Sequence, residues 1–279
     1  MKSAKYRGMV FVLPVFAGML VFFLVPLFLS VRYAFIRGVE DTRFVGIQNF
    51  LDLFHNPAFL LAVKNTLIFA GIGVPAVVVL ALWLSTELGV HDSALRRIML
   101  LPMVMPVAAA LMGWSAILGD QGLAALLAEF LGRGPIPFFG DKGARWTLIF
   151  LYVVKNFGYM TIILSSAIAT IPEDQWEAYA LDSGSVFWFT VKIVVPQIAP
   201  VIFFVIILCI VNCFQIFREV FSLYEFYPPN SLYMIQNFLN NNFLKLNYSR
   251  LCTASILVTL AVAVLSAVYL HFGDKGGEA

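Results

Sequence analysis

The chain has 279 residues, 61% of them hydrophobic and only 12% charged, with a mean hydropathy of +0.89. Soluble domains run near half apolar and a quarter charged, so this composition excludes one. A net charge of +2, with no basic cluster interleaved with aromatics, argues against a nucleic-acid partner.

In chain order, Lys2, Lys5 and Arg7 precede an uncharged run over about 8–31. It is longer than the roughly 7 to 15 residue core of a cleavable signal and has no small-residue cleavage site, so it reads as a membrane anchor. A polar segment, 32–64, with an amphipathic piece at 47–54, reads as a surface loop. Runs at 65–86 and 98–119, joined by a short turn, are each long enough to cross a hydrocarbon core of about 30 Å at about 1.5 Å per residue. A glycine- and proline-rich loop, 120–145, leads to a fourth run at 146–169. After a polar break at 171–192 come a fifth run at 193–217, an asparagine- and aromatic-rich loop at 218–250, and a sixth run at 251–270. The expected fold is all-α, a polytopic membrane protein of six transmembrane helices in a single domain over 1–279, with both termini on one side.

Charge does not choose that side. With the N-terminus inside, Lys2, Lys5, Arg7, Arg96, Arg97, Lys192 and Lys275 are cytoplasmic, but a larger set that includes Arg32, Arg43, Lys64, Arg145 and Arg250 is outside. Only the N-terminal cluster favours the N-terminus inside.

The break at 171–192 has a design of its own. Ile171-Pro172-Glu173-Asp174 is a helix start, with proline at its first position and two acids at the positive end of the helix dipole. Trp176, Tyr179 and Ala180 give this helix an apolar side, and Glu173, Glu177 and Asp182 a polar one. Ser183-Gly184-Ser185 then supplies a left-handed stop and a new N-cap. A compact helical knob between two spans is expected.

Inside the expected membrane, Tyr152, Lys155, Asn156 and Tyr159 fall at i, i+3, i+4 and i+7 and form one polar stripe on the fourth helix. Asn212, Gln215 and Glu219 repeat nearly that spacing on the fifth. A lysine at mid-bilayer costs roughly 2.5 to 3.5 kcal/mol on insertion scales, so Lys155 should face the bundle interior or water. Counted from Ile171 and Ile193, Lys155 lies about 24 Å up its helix, Asn212 about 28 Å and Glu219 about 39 Å. Lys155 and Asn212 are therefore expected to share a layer, with Glu219 in an outer gate or loop. The plainer reading is that such groups only join helices together.

The spacing Glu177-Ala178, Asp182, a small-residue pair, Ile193 and Pro196 resembles the EAA loop of binding-protein-dependent ABC importer permeases, in the sugar branch with the maltose and glycerol-phosphate permeases. Ser183 stands where that family usually has glycine, and Gly184 where it has alanine. Phe44 to Phe50, Lys64-Asn65-Thr66 and Leu101-Pro102 extend the likeness over most of the chain. The resemblance implies a type I ABC importer permease in the bacterial cytoplasmic membrane, multi-pass with both termini cytoplasmic, and a cytoplasmic loop that docks on an ATPase through Glu177, Ala178, Ala180, Asp182 and Gly184. It implies two ATP-binding subunits, a second related permease and an extracytoplasmic solute-binding protein as partners, besides membrane lipid. It also places a sugar pathway at Tyr152, Lys155, Asn156, Tyr159 and Asn212, to which the polar stripe of the fifth helix adds Gln215. Lys155 is unusual for a neutral sugar and raises the expectation of an acidic or phosphorylated substrate, or of a lysine that binds hydroxyls.

No phosphate loop, helical zinc motif or nucleophile set occurs, and His55, His91 and His271 are scattered in or beside loops. Cys209, Cys213 and Cys252 lie in apolar runs, where cysteine acts as a small hydrophobe. The chain is thus expected to have no catalytic residues, no metal and no cofactor of its own, with ATP and Mg on the partner. The rival is an ion-coupled secondary transporter that works without an ATPase.

Overall fold

The computed structural model describes residues 12–87, 93–132, 134, 137–182 and 185–276. The described residues are helical with a single isolated β-bridge, Ile36 to Phe44. Among them, six helices are long and apolar enough to cross a membrane: Val12–Ala34, Pro57–Thr86, Val107–Phe130, Ala144–Ile168, Ala199–Tyr224 and Tyr248–Val268. The expected all-α, six-span class is the observed one.

The chain falls into two compact units, Met1–Leu60 with Phe238–Ala263, and Leu61–Asn237 with Val264–Ala279. In the first unit, the first span ends at Ala34, where its last carbonyls lose helical partners. Asn49 supplies them: its Nδ2 donates to the carbonyls of Ala34 and Ile36 at 2.9 and 2.8 Å. Asn56 then caps the second span, its Oδ1 accepting from the amides of Ala58 and Phe59 at 3.0 and 3.1 Å. Phe54, Phe59 and Phe238 stack edge to face beneath that cap.

The second unit is organised around the fourth span. More than half of its most apolar window is buried, against a third or less for every other span, so this helix is the hub. Two departures from the expected elements matter there. The apolar run at 98–119 is two helices, Ser93–Val104 and Val107–Leu118, because Pro106 has no amide to donate and biases Met105 away from the helical region. The third span accordingly runs on to Phe130, with a short interruption at Gly119 to Gly122. The fifth span begins late: a π-helical turn at Thr190–Val194 is followed by Val195–Gln197 and a break at Ile198, between Pro196 and Pro200. It also ends late, at Tyr224, where Glu225 turns the chain at a φ of 53°. What was expected as one long loop at 218–250 therefore holds the end of this span and a further helix, Ile235–Leu244.

Candidate functional site

The polar groups of the fourth and fifth spans form two separate sets. Tyr152 is 1% exposed, and its hydroxyl donates to the carbonyl of Cys209 at 2.6 Å. Its ring stands edge on to Phe69 and lies against Gly73, whose missing Cβ leaves the room. Asn156, also buried, donates to the carbonyl of Tyr152 and accepts from Nδ2 of Asn212 at 2.9 Å. Oδ1 of Asn212 accepts from Gln215, and Oε1 of Gln215 from Arg218, so a chain of side-chain bonds climbs the fifth span. Tyr159 is half-buried against the core. Tyr152 and Asn156 thus join helices, as the plainer reading of the stripe had it.

The second set lines a cavity. Nζ of Lys155 donates to Oε1 of Glu219 at 2.5 Å, and both side chains border a cavity of about 240 Å³ walled by Trp114, Leu111, Val154 and Ile216. The expectation that Glu219 stands a layer above Lys155 is overturned. Counting from Ile193 adds the end of the π turn, Val195–Gln197 and the Ile198 break to a helix that restarts at Ala199. Counted from Ala199 and Ile168, Glu219 and Lys155 lie about 30 Å and about 20 Å up their helices, and the combined reach of two long side chains covers the difference. Nor is Lys155 an unpaired cation awaiting an anion. Glu219 is 6% exposed, and its Oε2 is a buried oxygen without a hydrogen-bond partner. Of the six residues expected on a pathway, Lys155 alone reaches this cavity; Trp114 and Glu219 join it from elsewhere.

The expected knob is also present as a helix, Glu173–Asp182. Trp176 and Tyr179 hold it to Phe189 of the next helix, with ring centroids 4.6 and 5.5 Å apart, and Gln197 donates to Gln175 at 2.6 Å. Glu177 and Ala178 are exposed, and Leu181 is 89% exposed. A groove beside the helix is lined by Gln175, Ala178, Tyr179, Lys192, Ile193 and Pro196. Ala180 and Asp182 belong to the helix by their backbone, whereas Ser183 and Gly184 lie outside the described residues. Ser185 occupies the N-cap position of the following helix, but its side chain makes no capping bond.

A third cluster explains Asn65 and Thr66. Asn65, buried, donates to the carbonyls of Asn230 and Tyr233 and accepts from Arg145 at 2.7 Å, while Arg145 also donates twice to the carbonyl of Ser231. Thr66 accepts from the amide of Ile235. Together they fasten the 230–235 turn across the second and fourth spans. No group of metal-ligating side chains occurs among the described residues.

Comparison with known proteins places this geometry. The profile of a family described as "Binding-protein-dependent transport system inner membrane component" matches residues 73–274. The chain is 25% identical to the trehalose/maltose transport system permease protein MalF of Thermococcus litoralis, over 96% of this chain and 95% of that one. It is 26% identical to the sn-glycerol-3-phosphate transport system permease protein UgpA of Yersinia enterocolitica, over 98% and 96%. A chain from a bacterial alginate ABC transporter in complex with an alginate pentasaccharide-bound periplasmic protein has the same fold, with a TM-score of 0.80 and 20% identity over 98% and 96%.

Proposed function

We propose, for a chain that belongs to the family of binding-protein-dependent transport system inner membrane components, the role of membrane-spanning permease subunit in an ATP-driven importer of a carbohydrate. It would sit in the inner membrane as a multi-pass protein and take its power from ATP bound, with Mg, on separate subunits. Two such ATPase subunits, a second related permease and an extracytoplasmic solute-binding protein complete the assembly. The names of the relatives, trehalose/maltose and sn-glycerol-3-phosphate permeases, support the solute class. The periplasmic protein bound to the alginate transporter supports the outer partner.

One observation carries the mechanism. The exposed face with Glu177, Ala178 and Leu181 belongs to a helix wedged by Trp176 and Tyr179 onto Phe189 and tied by Gln175 to Gln197. Force applied to that face reaches the base of the fifth span through Phe189 and Gln197, and the fourth span through the short turn after Ile168. Those spans carry Lys155 and Glu219 at their far halves. Docking of an ATPase on the cytoplasmic face of the knob would therefore tilt the two helices that hold the cavity. In this arrangement both termini are cytoplasmic, and Ala180, Asp182 and Gly184 take part with Glu177 in the coupling to the ATPase. The ion-coupled reading draws no support from the relatives.

The test is ATP-driven uptake by the purified assembly in proteoliposomes, with wild type set beside Glu177→Ala. Uptake and stimulated ATP hydrolysis that both fall in an intact variant assembly are the expected result. Solute movement down an ion gradient by the chain alone, without an ATPase, overturns the reading.

A further inference from the structure

The two relatives named above move solutes of different charge: trehalose and maltose are neutral, and glycerol 3-phosphate is an anion. Membership of the family thus leaves the charge of the solute open. Three observations bear on it. Lys155, the cation on the cavity wall, is matched by Glu219 at 2.5 Å, so the pair adds no net charge. Glu219 keeps a spare acceptor, Oε2, buried and unpartnered. Trp114 lines the same cavity, its ring held edge on to Phe150 at 5.6 Å.

We propose that Glu219 sets the charge of the transported solute: by cancelling Lys155 it makes the cavity a subsite for one uncharged sugar ring, seated against Trp114, and closes it to anionic saccharides. The inference rests on the carrier reading above and goes beyond it by naming the residue that discriminates. A volume of about 240 Å³ is below the roughly 300 Å³ at which pockets for drug-sized ligands begin, so the space suits one ring rather than an extended chain. An indole and a ring's apolar face suit each other, while hydroxyls on the rim need acceptors and donors. Glu219 and Lys155 provide both. The terminal torsion of a glutamate is broad, so turning its spare oxygen to a hydroxyl is an easy motion. An anionic ring entering here meets a lysine already satisfied and a carboxylate of its own sign in a site poorly screened by water. Such like-charge contacts are how a site rejects one partner while holding another.

The test is calorimetric titration of the purified, nucleotide-free complex of permease and ATPase subunits, freed of the solute-binding protein, with maltotriose and with trigalacturonate, two saccharides of equal ring number and different charge. Wild type is expected to bind maltotriose at least about tenfold more tightly than trigalacturonate, a difference of about 1.4 kcal/mol. Glu219→Gln keeps the shape, frees the cation and is expected to shift that ratio at least about tenfold toward trigalacturonate. The double variant Lys155→Met with Glu219→Gln removes both charges, and the preference for maltotriose should return. If Glu219→Gln does not assemble, Lys155→Met with Glu219 left alone serves, and its rejection of trigalacturonate should deepen. A wild-type preference for trigalacturonate, failure of wild type to bind maltotriose, or a ratio unmoved by these variants overturns the proposal. None of those results touches the carrier reading, which stands or falls on ATP-driven uptake.

Discussion

Gly158 of the fourth span faces the backbone carbonyl of Met99 so closely that a Cβ added there would overlap that oxygen. The helix Ser93–Val104 and the fourth span therefore meet backbone to backbone, the kind of contact that small residues allow between membrane helices. This contact fixes where the Pro102 side of the cavity lies relative to Lys155.

Gly158→Ala is accordingly expected to destabilise the protein by about 1 to 3 kcal/mol, the usual cost of overpacking, because the neighbour that must give way is backbone and not the end of a flexible side chain. Thermal unfolding of the purified assembly checks this. A melting temperature equal to that of wild type counts against the close approach.

Arg145 holds the 230–235 turn through the carbonyl of Ser231 and Oδ1 of Asn65. Arg145→Ala removes a charged donor from Asn65, which is buried, and from Ser231, which is half-buried, at an expected cost of about 1 to 3 kcal/mol. Arg145→Lys should recover little, since an ammonium cannot reproduce the planar fork that reaches both oxygens. Limited proteolysis reads the outcome: cleavage near Tyr227, which is 90% exposed, should quicken in both variants and stay slow in wild type.

Much of this architecture is legible in the residues, and what is hidden has physical causes. Hydropathy finds spans because length and apolarity are all that crossing demands, and the Pro172 and Glu173 start was enough to place the helix Glu173–Asp182. The break before Pro106 was not visible, since a proline in an apolar run can kink a span, begin one or end one. Nothing in the spacing pairs Lys155 with Glu219: their meeting depends on where the fifth span restarts, and the π turn and Ile198 break shift that origin. Trp114 carried no signal, because a tryptophan in an apolar run looks the same whether it faces lipid or a cavity. Leu181 could have been noticed as a large apolar residue beside Asp182, off the side defined by Trp176 and Tyr179.

Glu225 closes the fifth span with φ 53° and ψ −120°, a conformation that a side chain resists and glycine accepts. Glu225→Gly is expected to stabilise the protein by about 1 kcal/mol, the relieved strain exceeding the entropy that glycine adds to the unfolded chain. A melting temperature that falls instead would mean that the carboxylate contributes a contact worth more than the strain.

In the loop after the first span, Arg43 donates through Nε and Nη2 to both oxygens of Asp41, and holds its carboxyl well below the ordinary 3.8, at about 2. The folded value is the depressed one, so the stability linked to this group is present above 3.8 and is lost as pH falls through about 2. The site is exposed and salt screens it, so the effect on stability is small. Titration of the Asp41 carboxyl by NMR should therefore give a midpoint near 2 in wild type and close to 3.8 in Arg43→Met. Equal midpoints in the two proteins would rule out the pairing.

Phe189 sits between the helix Glu173–Asp182 and the fifth span, touching Trp176 and Tyr179 with its ring while only 8% exposed. Phe189→Ala leaves Glu177, Ala178 and Leu181, the face on which we propose that an ATPase docks, in place, but removes the ring that joins their helix to the fifth span. Loss of a buried phenylalanine costs about 3 to 5 kcal/mol in a closed core, and less here because Trp176 on the other side is 37% exposed and free to settle into the gap. The variant assembly is therefore expected to form and to hydrolyse ATP, while solute carried per ATP falls by at least about tenfold, the equivalent of about 1.4 kcal/mol of lost coupling. Phe189→Leu, which refills most of the volume, should recover part of that ratio. Measuring uptake and hydrolysis on the same proteoliposomes separates the possible results. A parallel fall in both means that the ring holds the docking face itself in shape, whereas an unchanged ratio removes Phe189 from the path between ATPase and cavity.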